Sequence, residues 1–330
     1  MSDSLRASAE QFVSAVRIDS SLTLAAFSIL YYDFALTFFS EIEYFWSPPA
    51  FSPTFFLFVA SRYFGVLGPL PVLFEYFGIY PEFHSSSRRC RQLQLYHQVY
   101  AMASQALVAV LLILRTYALY NLNKKVLAIL VVMHICGAVQ CLTAVLTTNS
   151  PLTTDDPLDF NYSGCNLSLT TDQGVHLSLA WSAMLWFDTA IFGLTLNKAI
   201  RMRSEMTGGL LETMFRDGTV YYGILIVVNI ANTLTFLLTP SNSPMKGMAT
   251  SLTNVLSVTL TSRLMLNLRD PDILFRRRAD AASPWETGQF SSRMMSFFHP
   301  PVNYEPDEDM IAIEEVGEDS MATSTTMSRV

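Results

Sequence analysis

Hydrophobic residues along this chain are gathered into seven long stretches, separated by shorter polar segments. Each stretch comes close to the roughly 20 helical residues that cross the hydrocarbon core of a bilayer. Because backbone in lipid must satisfy its hydrogen bonds internally, each stretch is predicted to be an α-helix. The pattern therefore predicts an all-α protein, a bundle of seven transmembrane helices. The predicted spans are Leu22–Phe39, Pro53–Phe74, Leu95–Tyr120, Val126–Thr147, Val175–Asn197, Thr219–Thr239 and Gly247–Asn267.

Composition supports a lipid environment and separates a polar tail from the bundle. Charged residues make up 15% of the chain, against about 25% in soluble domains. The net charge of −7 is concentrated beyond residue 278, where ten acidic side chains accompany only Arg293 and Arg329. Residues 269–330 bury too little apolar surface to fold alone, so they are predicted to be a disordered acidic tail. The membrane domain, 22–268, follows a short polar N-terminus, 1–21, and lacks the basic patch that nucleic-acid binding requires.

The distribution of Lys and Arg predicts an N-terminus outside the cell and a C-terminal tail in the cytoplasm. This orientation places ten basic residues inside and six outside, as the positive-inside rule favours. A multi-pass protein of the plasma membrane is the preferred localisation. The ten inner residues are Lys124, Lys125, Lys198, Arg201, Arg203, Arg216, Arg269, Arg276, Arg277 and Arg278. The six outer residues are Arg6, Arg17, Arg88, Arg89, Arg91 and Lys246.

The loop before the fifth span has features of an extracellular segment. Asn161 and Asn166 each begin an Asn-x-Ser glycosylation sequon. Cys165 lies in the same loop, and Cys90 lies just ahead of the third span, so this topology places both in an oxidising compartment. Disulfides persist there, and the remaining cysteines lie within the fourth span. A Cys90–Cys165 disulfide that holds the loop over the bundle is therefore predicted, with two unrelated thiols as the alternative.

Charged residues inside the spans need partners, because each costs about 2.5–3.5 kcal/mol to insert near the bilayer centre. Asp33 and Arg62 are equidistant from the Trp46–Pro49 turn, so an antiparallel hairpin would bring them to the same depth. A buried pair or network that holds the first two helices together is predicted, with a proton or ion relay as the alternative. Asp188 lies midway along the fifth span, where it fits an interhelical hydrogen bond or, alternatively, a ligand counter-ion.

Glu41 and Glu43 follow at the inner edge of the first span, in a short loop without basic residues. Two arginines near the inner ends of other spans, Arg115 and Arg263, are candidate partners for them. The alternative is an acidic edge exposed to water.

Several of these residues carry a resemblance to a known family. Tyr32-Asp33-Phe34, Leu36-Thr37, Glu41-Ile42-Glu43, Trp46 and Ser61-Arg62-Tyr63 together resemble a module of fungal multi-pass membrane proteins, domain of unknown function 6533. The resemblance covers about residues 21–66 and implies a seven-helix architecture and a fungal origin, but no activity. The overall architecture is also similar to seven-helix receptors. Leu114 stands where those receptors have an acidic residue before Arg115, and the last span has no Asn-Pro-x-x-Tyr motif.

Topology, the predicted disulfide and the serine- and threonine-bearing tail favour a receptor-like, sensory protein. Its partners would be the lipid bilayer and a cytoplasmic signalling protein, with a G protein as one candidate. The alternative is a transporter or channel with a polar path, although no internal repeat supports it. No nucleophile elbow, paired catalytic carboxylates or zinc-ligand spacing is found, so neither an enzyme nor a cofactor is predicted.

Overall fold

The structure, a computed structural model, describes residues 2–46, 52–78, 83–146, 165, 167–203, 210–241 and 243–269. Within these ranges the fold is all-α, without a strand. A five-residue π-helical turn, Ile42–Trp46, follows the first helix. The helices are α1 Ser2–Glu41, α2 Pro53–Leu67, α3 Pro69–Phe77, α4 Phe83–Leu119, α5 Lys124–Leu146, α6 Thr171–Arg203, α7 Leu210–Leu238 and α8 Thr250–Arg269.

Six helical segments in the described part of the chain are long and apolar enough to cross a membrane. They correspond to the first six predicted spans. The seventh predicted span, Gly247–Asn267, forms α8. Its serine, threonine and asparagine residues lower its hydropathy, so it is not among the six segments. Its position accounts for this polarity, because α8 packs against α1, α2, α4 and α7. The six segments are Ser8–Trp46, Pro53–Phe77, Arg89–Leu119, Lys124–Ala144, Thr171–Arg201 and Thr219–Leu238.

The surface of the bundle is apolar and much of its interior is polar. Along α5, Val132, Ile135 and Val139 are each more than half exposed. By contrast, Thr253 and Asn254 of α8 are buried. Water-soluble proteins show the opposite arrangement, whereas a lipid solvent favours apolar side chains outside. The chain is therefore a multi-pass integral membrane protein.

The first helix begins much earlier than the apolar pattern predicts. It starts at Ser2 rather than near Leu22, and its polar N-terminal half has a buried face. The buried positions recur every three or four residues, as in a helix that packs on one side. They are Phe12, Ala15, Asp19, Thr23 and Ala26.

Two prolines divide the second predicted span into α2 and α3, as expected from Pro69 and Pro71. Proline lacks the N–H that would bond to the carbonyl four residues earlier, which for Pro69 is that of Gly65. The hydroxyl of Tyr100 donates to this carbonyl instead, at 3.3 Å. The hydroxyl of Tyr96 likewise donates to the carbonyl of Gly68, at 2.9 Å. Tyrosines of α4 thus satisfy carbonyls at the kink and fix the direction of α3.

The predicted disulfide is confirmed, because Cys90 near the start of α4 is bonded to Cys165 ahead of α6, with 5.4 Å between their Cα atoms. It holds Leu167 and Leu169 against the mouth of a cavity in the bundle. Leu169 also forms an isolated antiparallel bridge with Ser243, in the segment before α8. We refer to this side of the bundle as the disulfide end, and to the side with Glu41 and Arg62 as the arginine end.

Candidate functional site

A cavity of about 110 Å³ lies at the disulfide end, between the first part of α1, α3, α4, α6 and the segment before α8. Apolar and aromatic side chains form part of its lining, including Trp181 and Phe236. Polar side chains from three helices form another part, which we call the polar wall. These are Asp19 of α1, Glu75 of α3, and Gln94, His97, Gln98 and Gln105 of α4.

The polar wall is rich in acceptor atoms that the surrounding protein leaves unused. One oxygen each of Asp19, Glu75, Gln94 and Gln98 is buried and has no hydrogen-bond partner among the described residues. The carboxylates of Asp19 and Glu75 belong to residues only 3% and 2% exposed. Native proteins pair most buried polar groups, so four unpartnered acceptors on one wall mark this cavity as unusual.

His97 is the titratable neighbour of this wall. Its Nδ1 lies 3.0 Å from Oε2 of Glu75, while Oε1 of the same carboxylate is one of the unpartnered atoms. His97 of α4 therefore links this helix to α3 through Glu75. Gln105, at the deeper end, donates to Oδ1 of Asn254 at 2.8 Å and to Oγ of Ser257 at 3.2 Å, and so links the cavity wall to α8.

Lys246 brings a positive charge to the cavity rim, but its ammonium group is used elsewhere. Nζ donates to the carbonyl oxygens of Phe236 and Thr239, at 3.0 and 2.8 Å, at the C-terminal end of α7. Cations favour such ends because the last carbonyls lack intrahelical partners. Burial lowers the pKa of Lys246 below its ordinary value. The adjacent Gly247 has φ +82°, a left-handed conformation that glycine adopts without strain.

A second cluster of charges lies at the arginine end, centred on the fully buried Glu41. One carboxylate oxygen accepts from Nε of Arg62 at 2.5 Å. The other accepts from the Tyr63 hydroxyl at 3.0 Å and the Trp46 indole at 3.2 Å. Arg62 also donates to the hydroxyl of Thr37 at 2.7 Å. Including Asp33 and Arg263, described next, we call this set of seven residues the arginine cluster.

The predicted direct pair between Asp33 and Arg62 is not formed, but a buried network does join the first two helices, with different partners. Arg62 pairs with Glu41, and Asp33 pairs with Arg263 of α8. The reason is that side chains on a helix lean toward its N-terminus. Arg62 of α2 therefore leans toward the turn and reaches Glu41, whereas Asp33 of α1 leans away from it. Equal distance from the turn aligns the backbones but not the charged ends of the side chains.

The predicted partners of the two glutamates are likewise corrected. Neither Arg115 nor Arg263 pairs with Glu41, since Arg263 binds Asp33 and Arg115 faces the ring of Tyr222 at 5.6 Å. Glu43 is exposed, in agreement with the alternative of a water-facing acidic edge.

Asp188 makes the predicted interhelical contact. Its Oδ2 accepts from Nδ2 of Asn229 at 2.6 Å, which joins α6 to α7 in the interior of the bundle. It does not line the cavity, so the counter-ion alternative has no support from this site.

Some predicted sites cannot be compared with the structure, and two cavity residues were not predicted. The sequons Asn161 and Asn166, together with the tail from residue 270, lie outside the described residues. Asp19 and Glu75 were not predicted as site residues, because the first span was predicted to begin at Leu22 and charges were considered only inside apolar stretches. Helical spacing was the missed signal, since Asp19 lies four residues before Thr23 on one face.

Comparison with known families gives a partial match. Residues 21–67 match a family described as a family of unknown function, DUF6533. The matched segment contains six of the seven residues of the arginine cluster, all except Arg263. The comparisons with curated proteins and with solved structures gave no match. The matched segment thus coincides with the hairpin that the arginine cluster holds together, and it stops short of most of the cavity.

Proposed function

We propose that this protein is a receptor-like sensor that binds a small molecule in the cavity and signals through the arginine end. The observation that carries the proposal is that the same helices contribute to both sites. Helix α1 has Asp19 in the cavity and Glu41 in the arginine cluster. Helix α8 begins at Thr250 on the cavity wall and presents Arg263 to Asp33.

This arrangement connects the ligand site to the signalling end, as a conformational switch requires. A ligand that alters the tilt or separation of α1, α4 and α8 at the disulfide end also acts on the contacts at their other ends. Those contacts are few, buried and directional, so they favour discrete arrangements over gradual deformation. A ligand shifts such an equilibrium only by its differential affinity for the two arrangements.

The proposed topology has α8 as a seventh crossing, beside α1 and α4. The disulfide end then faces outside and the arginine end faces the cytoplasm, as the distribution of basic residues favours. The plasma membrane is the proposed location, and a cytoplasmic signalling protein, for which a G protein is one candidate, is the proposed partner. No catalytic step is proposed for either site.

The native tryptophans provide a test in the full-length protein. Trp181 reports on the cavity, Trp46 reports on Glu41, and Trp186, which is 73% exposed, serves as a lipid-facing control. We would label the protein with fluorotryptophan in nanodiscs and assign each fluorine signal with single Trp→Phe variants. The cavity is then filled by attaching methyl, hydroxyethyl or aminoethyl groups to Cys141, which lines it, in a Cys136→Ser background.

The sensor proposal predicts that at least one attached group shifts both the Trp181 and the Trp46 signals and leaves Trp186 unchanged. A Trp46 signal that stays fixed while Trp181 shifts with every group would contradict coupling between the two ends. Guanine-nucleotide-sensitive retention of a partner from native membranes would identify the partner class.

A transporter is the second candidate, and one contact favours it. Gln105 continues the polar wall of the cavity toward Asn254 and Ser257, deeper in the bundle. A Gln105→Leu variant should then reduce solute flux in proteoliposomes. Absence of flux across candidate small solutes would leave the sensor as the better account.

A further inference from the structure

We infer that the cavity at the disulfide end is a binding site for a small organic monocation, an amine or the ammonium head of a longer molecule. The inference rests on the proposed function, because it names the ligand class of the proposed sensor. It stands on three independent features of the cavity: unpartnered acceptors, charge and size.

The first feature is the excess of acceptors. The unpartnered oxygens of Asp19, Glu75, Gln94 and Gln98 belong to residues that line one cavity. A ligand that completes this wall must supply hydrogen-bond donors, and a protonated primary amine supplies three. Donors on an ionised group also form the stronger class of hydrogen bonds with carboxylates.

The second feature is charge. Two carboxylates lie in the wall, and His97 contacts Glu75 through its Nδ1. Lys246 is the other cation of the lining, and the carbonyls of Phe236 and Thr239, not a carboxylate, hold its ammonium group. No described arginine or lysine forms an ion pair with Asp19 or Glu75. Asp19 thus has no ion-pair partner among the described residues, and a monocation is the ligand that would supply one.

The third feature is the size of the cavity and its aromatic lining. The cavity volume of about 110 Å³ is somewhat smaller than the roughly 150 Å³ of an engineered cavity that binds benzene. It accommodates a head group of a few heavy atoms. Tyr76, Trp181 and Phe236 also line the cavity, and aromatic side chains attract cations.

A metal ion is the less suitable occupant. Among the described residues no three His, Cys, Asp or Glu side chains come together as a metal site. Two of the four unpartnered acceptors are amide oxygens, four residues apart on one face of α4, and such oxygens accept hydrogen bonds from an organic ammonium group.

Cys141 allows this preference to be measured without knowledge of the natural ligand. It is a buried thiol in the cavity lining, whereas Cys136 is an exposed thiol on the same helix. Cys136→Ser leaves Cys141 as the free thiol of the described residues, and Cys141→Ser, which retains Cys136 on the lipid-facing side of the helix, measures the background reaction. The full chain in nanodiscs is treated with aminoethyl, hydroxyethyl and sulfonatoethyl methanethiosulfonate, which carry positive, zero and negative charge on one reactive group.

The rate ratio of the cationic to the neutral reagent is the readout, since any effect of the cavity on the thiol itself cancels. At Cys141 this ratio should exceed that of a small free thiol in the same buffer by about tenfold, the low end of local concentration by a charged cleft. Asp19→Asn combined with Glu75→Gln should bring it down to the free-thiol value. A Cys141 ratio equal to that of the free thiol, a preference for the anionic reagent, or no reaction of Cys141 with any reagent would each overturn the monocation site.

A second measurement keeps the native wall intact, in case the double variant fails to fold. Methylammonium should slow modification of Cys141 by the neutral hydroxyethyl reagent, whereas acetate and acetamide at the same concentration should not. Protection by all three compounds or by none would contradict a cation-selective site. These outcomes differ from those that test the sensor proposal. A cation preference at Cys141 together with an unchanged Trp46 signal would contradict the signalling function and would still support the ligand class.

Discussion

The two ends of this bundle treat buried charge in opposite ways. At the arginine end, each carboxylate has a cationic partner: Glu41 binds Arg62, and Asp33 binds Arg263. At the disulfide end, Asp19 has none among the described residues, and four acceptors on one cavity wall are unpartnered. The comparison shows that buried polar side chains can either hold helices together or remain available to bind a ligand. Which role they have depends on whether other residues of the chain pair with them.

The largest effect is expected when one partner of an ion pair at the arginine end is removed. Arg62→Ala leaves Glu41 buried and without its cation, and loss of one member of a buried pair costs about 3–5 kcal/mol. We expect a large decrease in the detergent-induced unfolding midpoint. Arg6→Ala is the matched control, because its bond to Glu10 joins two highly exposed side chains and should contribute no measurable stability. Similar behaviour of the two variants would show that the arginine cluster does not hold the bundle together.

The disulfide should have the next largest effect, confined to the cavity end. Replacing Cys90 and Cys165 by alanine releases the segment that carries Leu167 and Leu169 over the cavity. We expect a loss of about 2 kcal/mol, at the lower end for a disulfide because membrane-inserted helices already restrict the unfolded chain. The fluorine signal of Trp181 should change. An unchanged Trp181 signal would show that the disulfide does not hold this segment over the cavity.

Asp188 is expected to have a smaller effect, because it contributes a hydrogen bond with Asn229 across the α6–α7 interface. Asp188→Asn preserves shape and bonding, and interhelical hydrogen bonds average only about 0.6 kcal/mol in membranes. Stability should change by less than about 1 kcal/mol, and the cation preference of Cys141 should be unchanged. Loss of the cation preference at Cys141 would show that Asp188 contributes to the ligand site and would support its alternative role as a ligand counter-ion.

The sequence predicted the elements of this fold better than their contacts. Lipid imposes long apolar helices, so the first six spans could be read directly from hydropathy. The N-terminal half of α1 and all of α8 were harder, because both are shielded by neighbouring helices and can therefore be polar. Within that shielded interior, composition no longer distinguishes a buried helix from a water-facing one.

Which charged residues pair depends on the direction of each side chain as well as on its depth in the membrane. The disulfide was predictable because few cysteines shared its compartment. The partners of Arg62 and Asp33 were not, because counting residues from a turn ignores the lean of side chains toward helix N-termini. The cavity escaped prediction for a further reason: Asp19, Glu75 and Gln94 lie far apart in sequence, and only the packing of α1, α3 and α4 brings them together.

The most direct test of the account compares the same kind of change at both ends, by unfolding Asp19→Asn and Glu41→Gln proteins side by side in one detergent system. Asp19→Asn removes an uncompensated buried charge, so it should stabilise the protein by about 0.5 kcal/mol, as changes at functional sites often do. Glu41→Gln removes a charge that Arg62 needs and should destabilise it. Opposite signs are the predicted result. Destabilisation by both substitutions would mean that Asp19 is a structural residue and would contradict a cavity left open for a ligand.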